Sequence, residues 1–247
     1  NIVSGWNVEE FAMFGVQLRD HDERYAYSAE WVTILDKIYA ETAPFDYHGK
    51  YFSLKNVEGK PKPWGNGRPL LMSAGSSPAG RAFAVNYTDC LFMVITEEDT
   101  IASDVAQVRA VPGADKCGLY ASGHLLCRRT AKETEEYYHY LVREKGDWEA
   151  AEQIIAKRAA GGSQSLSPDI MRRMKERVIG GGATFPVIGS YDEVAEKFLR
   201  LSEAGLDGMA LILVNYVQEM PILRDEVLPR LERLKLRAGH KTSETRS

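Results

Sequence analysis

The sequence predicts an α/β fold built from parallel βα units, and three observations lead there. Short apolar runs alternate with amphipathic helical segments, turn and cap residues fall at the joints between them, and polar residues suited to binding gather just after the apolar runs. Strands are expected at 1–5, 70–74, 90–95, 118–127 and 209–214, which either an open doubly wound sheet or a closed barrel accommodates. An eight-stranded barrel ordinarily fills about 250 residues without a long excursion, so these strands read as part of one.

Composition narrows the function. With 44% hydrophobic and 27% charged residues, the chain has the make-up of a soluble globular protein. A net charge of −4 argues against a nucleic-acid surface, which needs a basic excess. No apolar run approaches the roughly 20 residues that span a bilayer, and no secretory leader opens the chain, so a cytoplasmic protein with no membrane partner is expected. Cys90, Cys117 and Cys127 lack CxxC spacing and are expected as buried free thiols. The histidines show no metal-ligand spacing, so no metal is expected. The chain opens on Asn1 within an apolar run, which reads as a start inside a longer fold.

Taken in order, Asn1–Gly5 reads as a strand, followed by a loop whose Trp6, Phe11, Met13 and Phe14 are apolar enough to pack. Asp20 or Asp22 caps a helix to about Glu41, with Tyr27, Trp31, Ile34, Leu35 and Ile38 on one face, and Pro44 stops it. A small hairpin pairs 45–47 with 50–54, and a proline-rich connector leads into the next strand. A helix over 79–87, the strand 90–95 and a helix over 97–109 begun by Thr96 follow. After the strand 118–127, Thr130 caps a tyrosine-rich helix to about Lys145. Residues 146–186 depart from the pattern and read as an excursion carrying polar helices, with Gly180–Gly182 as a mobile loop. Ser190 caps a helix ended by Gly205, the last strand is 209–214, and a closing helix spans 219–236. The ordered domain is expected over 1–237, with 238–247 as a disordered tail.

One stretch carries chemistry: LLMSAGSSPAG at 70–80. Gly75-Ser76-Ser77 breaks a strand, and Ser77-Pro78 opens a helix. Two readings are open. The serines serve only as a helix cap, or the turn aims backbone N–H groups, two hydroxyls and the positive helix end at a phosphate.

Several motifs, kept in order and spacing, carry a resemblance: NIVSGW at 1–6, NVEEFAMFG at 7–15, HDERY at 21–25, FDYHGKYF at 45–52, AGSSPAGRAFA at 74–84 and GSYDEVAEKF at 189–198. Together they resemble the bacterial luciferase-like flavin-dependent monooxygenases, in the branch of the alkanesulfonate and dimethyl sulfone monooxygenases and the pyrimidine oxygenase. The resemblance implies a TIM (β/α)8 barrel of the luciferase-like type, lacking here about the first three βα units, with 146–186 as an insertion before the last strand. It implies FMN as the cofactor, delivered as FMNH2 by a separate NAD(P)H:flavin reductase. By the same resemblance, O2 would add at the ring's C4a carbon, and the peroxide would oxygenate a small organosulfur compound, a sulfone or an alkanesulfonate.

Site residues follow from the same resemblance. Asn1 would meet the polar edge of the ring, and Glu10 the ribityl chain or the ring. Arg24 and Tyr25 would bind the phosphate together with Ser76 and Ser77, an ion pair of Arg24 with Asp20 or Asp22 being the alternative. His124, in LYASGHLLCR, would donate to the peroxide or to a sulfonyl oxygen, or else be a hydrogen-bonded histidine of the barrel interior. Tyr216, just after the last strand, matches an active-site tyrosine of the family, or packs at the strand end. Ser122 stands where the alkanesulfonate enzymes carry an arginine, which tilts the expectation toward a neutral substrate. A homo-oligomer is implied. Deazaflavin F420 on the same fold is the alternative cofactor, and a flavin-phosphate-binding fragment without activity is the non-enzymatic alternative.

Overall fold

A computed structural model describes residues 1–5, 7–95, 97–159 and 168–238. The chain divides into two compact units, one made of 1–93 and 106–119, the other of 94–105 and the residues from Tyr120 onward. Trp6, Thr96, Gly161, Gly162 and the tail from 239 lie outside the described residues. Among the described residues no helix is long and apolar enough to cross a membrane. Cys90, Cys117 and Cys127 are free and buried, as expected.

In the first unit, Asn7 caps a short helix α1 (Val8–Met13) by accepting the Glu9 N–H at 3.1 Å. This segment was expected as a packing loop, but Met13 and Phe14 are 80% and 82% exposed. Helix α2 (His21–Ala40) follows, and its buried stripe runs through Ser28, Val32 and Ile34, leaving Trp31 exposed. Val32 packs with Leu71 and Phe83, with Tyr25 and Ile2 at the margin of this core. Strands β1 (Phe45–His48) and β2 (Ser53–Val57) form the hairpin. Its second strand starts three residues later than expected because the N–H groups of Lys50, Tyr51 and Phe52 donate to the Glu30 carboxylate at 2.8 to 3.1 Å.

Strand β3 (Met72–Ser73), helix α3 (Pro78–Tyr87) and strand β4 (Cys90–Met93) make a βαβ unit, with Met72 opposite Cys90 and Ser73 opposite Leu91 in parallel. Ile2 adds one parallel bridge to Ser73, its N–H donating to the Met72 carbonyl at 2.7 Å. The runs 1–5 and 70–74 are therefore shorter strands than the sequence predicts. At Leu71 the backbone N–H goes to the Asp89 carboxylate at 2.7 Å. Asp89 also pairs with Arg68, and the Leu71 carbonyl still accepts the backbone N–H groups of Asp89 and Cys90, so a side chain takes only the donor side of Leu71. Helix α4 (Ile101–Arg109) crosses from one set of residues to the other.

The second unit is organised on strand β5 (Gly118–Arg128). A capping box of Thr130 and Glu133 starts helix α5 (Ala131–Tyr138), which runs on through a π-helical turn over 139–144. Helices α6 (Trp148–Ala159) and α7 (Pro168–Gly181) occupy the excursion. Strand β6 (Phe185–Ser190) then lies parallel to β5, with Gly123 opposite Phe185 and Arg128 opposite Ser190. This strand was not expected, since Pro186 sits inside it and proline counts against a strand interior. Helix α8 (Tyr191–Glu203) opens on a second capping box, Ser190 with Glu193, and Gly205 ends it at φ +100°. Strand β7 (Gly208–Ile212) is also parallel to β5, pairing Tyr120 with Gly208 and His124 with Ile212. Helices α9 (Tyr216–Ile222) and α10 (Leu228–Arg233) close the chain.

Two further expectations are corrected here. Gly180 and Gly181 are the buried last residues of α7, and the turn is confined to Gly182 and Ala183 at φ +64° and +71°. The closing helix starts at Tyr216 rather than Glu219, because the Asn215 side chain accepts the Gln218 N–H at 3.3 Å and caps it there.

Candidate functional site

In the first unit, the turn from β3 to α3 encloses a cavity of about 270 Å³. Its walls include Tyr25 and His21 from α2, Ser4 from the opening segment, and Gly75, Ser76 and Ser77 from the turn. Ser77 is the N-cap of α3, its Oγ accepting the Gly80 N–H at 3.1 Å. The cap leaves the serine's own proton free to donate, so the capping and cradle readings coexist on one side chain. Pro78 at the first helical position has no N–H to satisfy. The helix start therefore turns a positive dipole end and two hydroxyls toward the cavity.

Glycine makes this convergence possible. A Cβ on Gly75 would stand 2.8 Å from Tyr25 Oη, and one on Gly80 would stand 2.7 Å from the same atom. Any side chain at either position would push the phenol out of the cradle. His21 is a wall residue outside the site residues that the sequence singles out. It sits four residues before Tyr25 on α2, packs edge-on to it at 5.3 Å, and donates Nδ1–H to Asp22 at 2.7 Å. The i, i+4 spacing in HDERY was the available signal.

The other flavin-contact candidates are placed differently. Arg24 turns its Nη1 to the Gly5 carbonyl, and its Nε is buried with no hydrogen-bond partner. No ion pair of Arg24 with Asp20 or Asp22 is found among the described residues. Asn1 and Glu10 are exposed and do not line the cavity. Tyr216 is the first residue of α9 rather than a strand end, and is 69% exposed.

His124 lies in the second unit, in the middle strand between Pro186 of β6 and Ile212 of β7, and is 1% exposed. Its Nδ1 meets Thr184 Oγ1 at 3.1 Å. Burial pushes its pKa down from the ordinary 6.5 to about 4, against a hydrogen bond to the Thr184 backbone that works the other way, while the nearby charges of Arg177 and Lys197 lower it further. The imidazole is therefore neutral at physiological pH. The end of α7 lies directly on this ring: a Cβ on Gly181 would stand 2.3 Å from His124 Cβ, and one on Gly180 would stand 3.3 Å from Nε2. Ser122 shares the His124 face by the two-residue period of a strand and is half-buried.

Residues 1–208 match the family model of the luciferase-like monooxygenases. The chain belongs to this family. Among relatives, this luciferase-like chain is 28% identical over 246 residues to the FMNH(2)-dependent dimethylsulfone monooxygenase of Pseudomonas fluorescens strain Pf0-1, covering 96% of this chain and 66% of the relative. It is 27% identical over 241 residues to the pyrimidine monooxygenase RutA of Bradyrhizobium sp. strain BTAi1, covering 93% of this chain and 65% of that one. The chain thus spans about two thirds of the length of these curated relatives. Among solved structures, long-chain alkane monooxygenase LadA superposes with a TM-score of 0.77 at 19% identity, over 94% of this chain and 61% of LadA. The α/β fold is that of the luciferase-like barrel enzymes, as the sequence predicts.

Proposed function

We propose that this chain provides the flavin-phosphate site of an FMNH2- and O2-dependent monooxygenase acting on a small organosulfur compound. The observation that carries the reading is the cradle where Tyr25, Ser76 and Ser77 meet at the start of α3. Its chemistry fits a phosphate: hydroxyl donors, a positive helix end, and two glycines whose Cβ atoms would fill the space. The unpartnered Arg24 Nε, buried nearby in sequence at the head of α2, adds fixed positive charge on the same unit.

In this reading Ser76, Ser77 and Tyr25 bind the phosphate, and Arg24 supplies charge and holds the opening segment through Gly5. Asn1 serves the ring edge and Glu10 the ribityl chain. Bound reduced flavin supplies the electrons with which O2 is activated. The protein's own part is to orient, to exclude water and to hold fixed dipoles about the reacting groups. His124, buried and neutral, and Tyr216 serve the substrate side. The excursion expected over 146–186 is the insertion of one domain spanning 1–237, except that its last two residues belong to β6, so that two strands, β6 and β7, follow it rather than one. A separate reductase supplies FMNH2, and the protein assembles as a homo-oligomer. Ser122, where the alkanesulfonate enzymes carry arginine, and the dimethylsulfone relative favour a neutral sulfone.

Oxygen uptake decides the reading. Supplied with FMNH2 and dimethyl sulfone, the protein is expected to consume O2 in proportion to sulfone oxidised. Reduction of a substrate with F420H2, together with no O2 uptake with FMNH2, would establish the deazaflavin alternative.

A further inference from the structure

His124 Nδ1 faces a hydroxyl, that of Thr184, whose own hydrogen-bond roles are set by its two neighbours. Thr184 Oγ1 lies 2.7 Å from the Gly181 carbonyl oxygen and 3.1 Å from His124 Nδ1. A carbonyl only accepts, so the single hydroxyl proton goes to Gly181. The hydroxyl oxygen then accepts at His124, and Nδ1 must carry the hydrogen. An imidazole with its proton on Nδ1 keeps its lone pair on Nε2.

We propose that Thr184 is a positioning residue that holds His124 in the Nδ1–H tautomer, so that its Nε2 is presented as a hydrogen-bond acceptor. The inference rests on the monooxygenase reading only for its catalytic meaning. It reverses the donor role that the sequence assigns to His124, because an unprotonated Nε2 accepts a hydrogen bond and cannot donate one to a sulfonyl oxygen. The supporting geometry is built in. Gly180 and Gly181 have no side chains, which lets α7 approach the ring and brings the Gly181 carbonyl onto Thr184. The left-handed pair Gly182 and Ala183 then returns the chain so that Thr184, the residue before β6, meets the imidazole.

Long-range 15N–1H correlation spectra of the full 247-residue chain read the tautomer, with His124 assigned from the signal lost in His124→Gln. The expected result is a protonated Nδ1 and an unprotonated Nε2 in the wild type, lost in Thr184→Val and restored in Thr184→Ser. Unchanged His21, His48 and His139 signals report that the variants fold. A wild-type His124 protonated on Nε2, or a Thr184→Val variant that keeps Nδ1–H, overturns the proposal. Turnover is measured separately with FMNH2, O2 and dimethyl sulfone, and Thr184→Val is expected to lower kcat about tenfold with FMN affinity unchanged, as for one lost orienting hydrogen bond. If the wild type shows the expected tautomer but no turnover, the tautomer assignment stands and the monooxygenase reading fails.

Discussion

Tyr25 reaches the head of α3 because Gly75 and Gly80 leave its hydroxyl room, and its contribution is separable from that of Ser77. Tyr25→Phe is expected to weaken FMN binding by about 1 kcal/mol, one hydrogen bond to a charged group, with little effect on stability. Ser77→Ala should weaken binding by a similar amount and also lower stability by about 1 kcal/mol, since Ser77 caps α3. Flavin titration and denaturant melts measure the two effects, and unchanged affinity in both variants would remove the phosphate assignment. His124 makes a different prediction. Its pKa is near 4 folded and 6.5 unfolded, so between those values the unfolded chain binds more protons. Stability is fully present above pH 6.5 and is lost as pH falls toward 4, by about 3 kcal/mol in all. His124→Gln should flatten that part of the stability-against-pH curve, and an unaltered slope would show that burial does not hold the imidazole neutral.

Helix α7 shows how small residues at a helix end serve close packing rather than motion. Gly180–Gly182 reads in sequence as a hinge, whereas Gly181 is the contact between α7 and the central strand. Gly181→Ala would place a methyl group 2.3 Å from His124 Cβ, and neither backbone can yield without parting α7 from β5. The expected cost is about 1–3 kcal/mol, the usual penalty of overpacking. A melting curve measures it, and a variant as stable as the wild type would mean that the α7 end moves freely off the ring. The capping boxes at Thr130 and Ser190 are the opposite case, because each is written in four consecutive residues and forms as read.

At the scale of the molecule, the cradle belongs to the first unit and His124 to the second. FMN should raise the melting temperature, whereas riboflavin, which lacks the phosphate, should do so far less at equal concentration. Hydrogen exchange should place FMN protection around 21–25 and 73–80, and equal effects of both flavins would move the binding energy from the phosphate to the ring. The sequence by itself determined the βα alternation, the caps, the family and the Ser76-Ser77 turn, because these rest on local spacing and on short-range hydrogen bonds. Only the tertiary structure decided what depends on partners far along the chain. Glu30 moved the start of β2, Asp89 shortened β3, and pairing with β5 made a strand of 185–190 despite Pro186. It also revealed His21 in the cradle wall and Thr184 against His124, sixty residues apart, and showed that Gly75, Gly80 and Gly181 are places where another element comes too close for a side chain. Local pattern specifies which elements form; the steric and hydrogen-bond demands of distant neighbours set where they end and which polar groups they bring together.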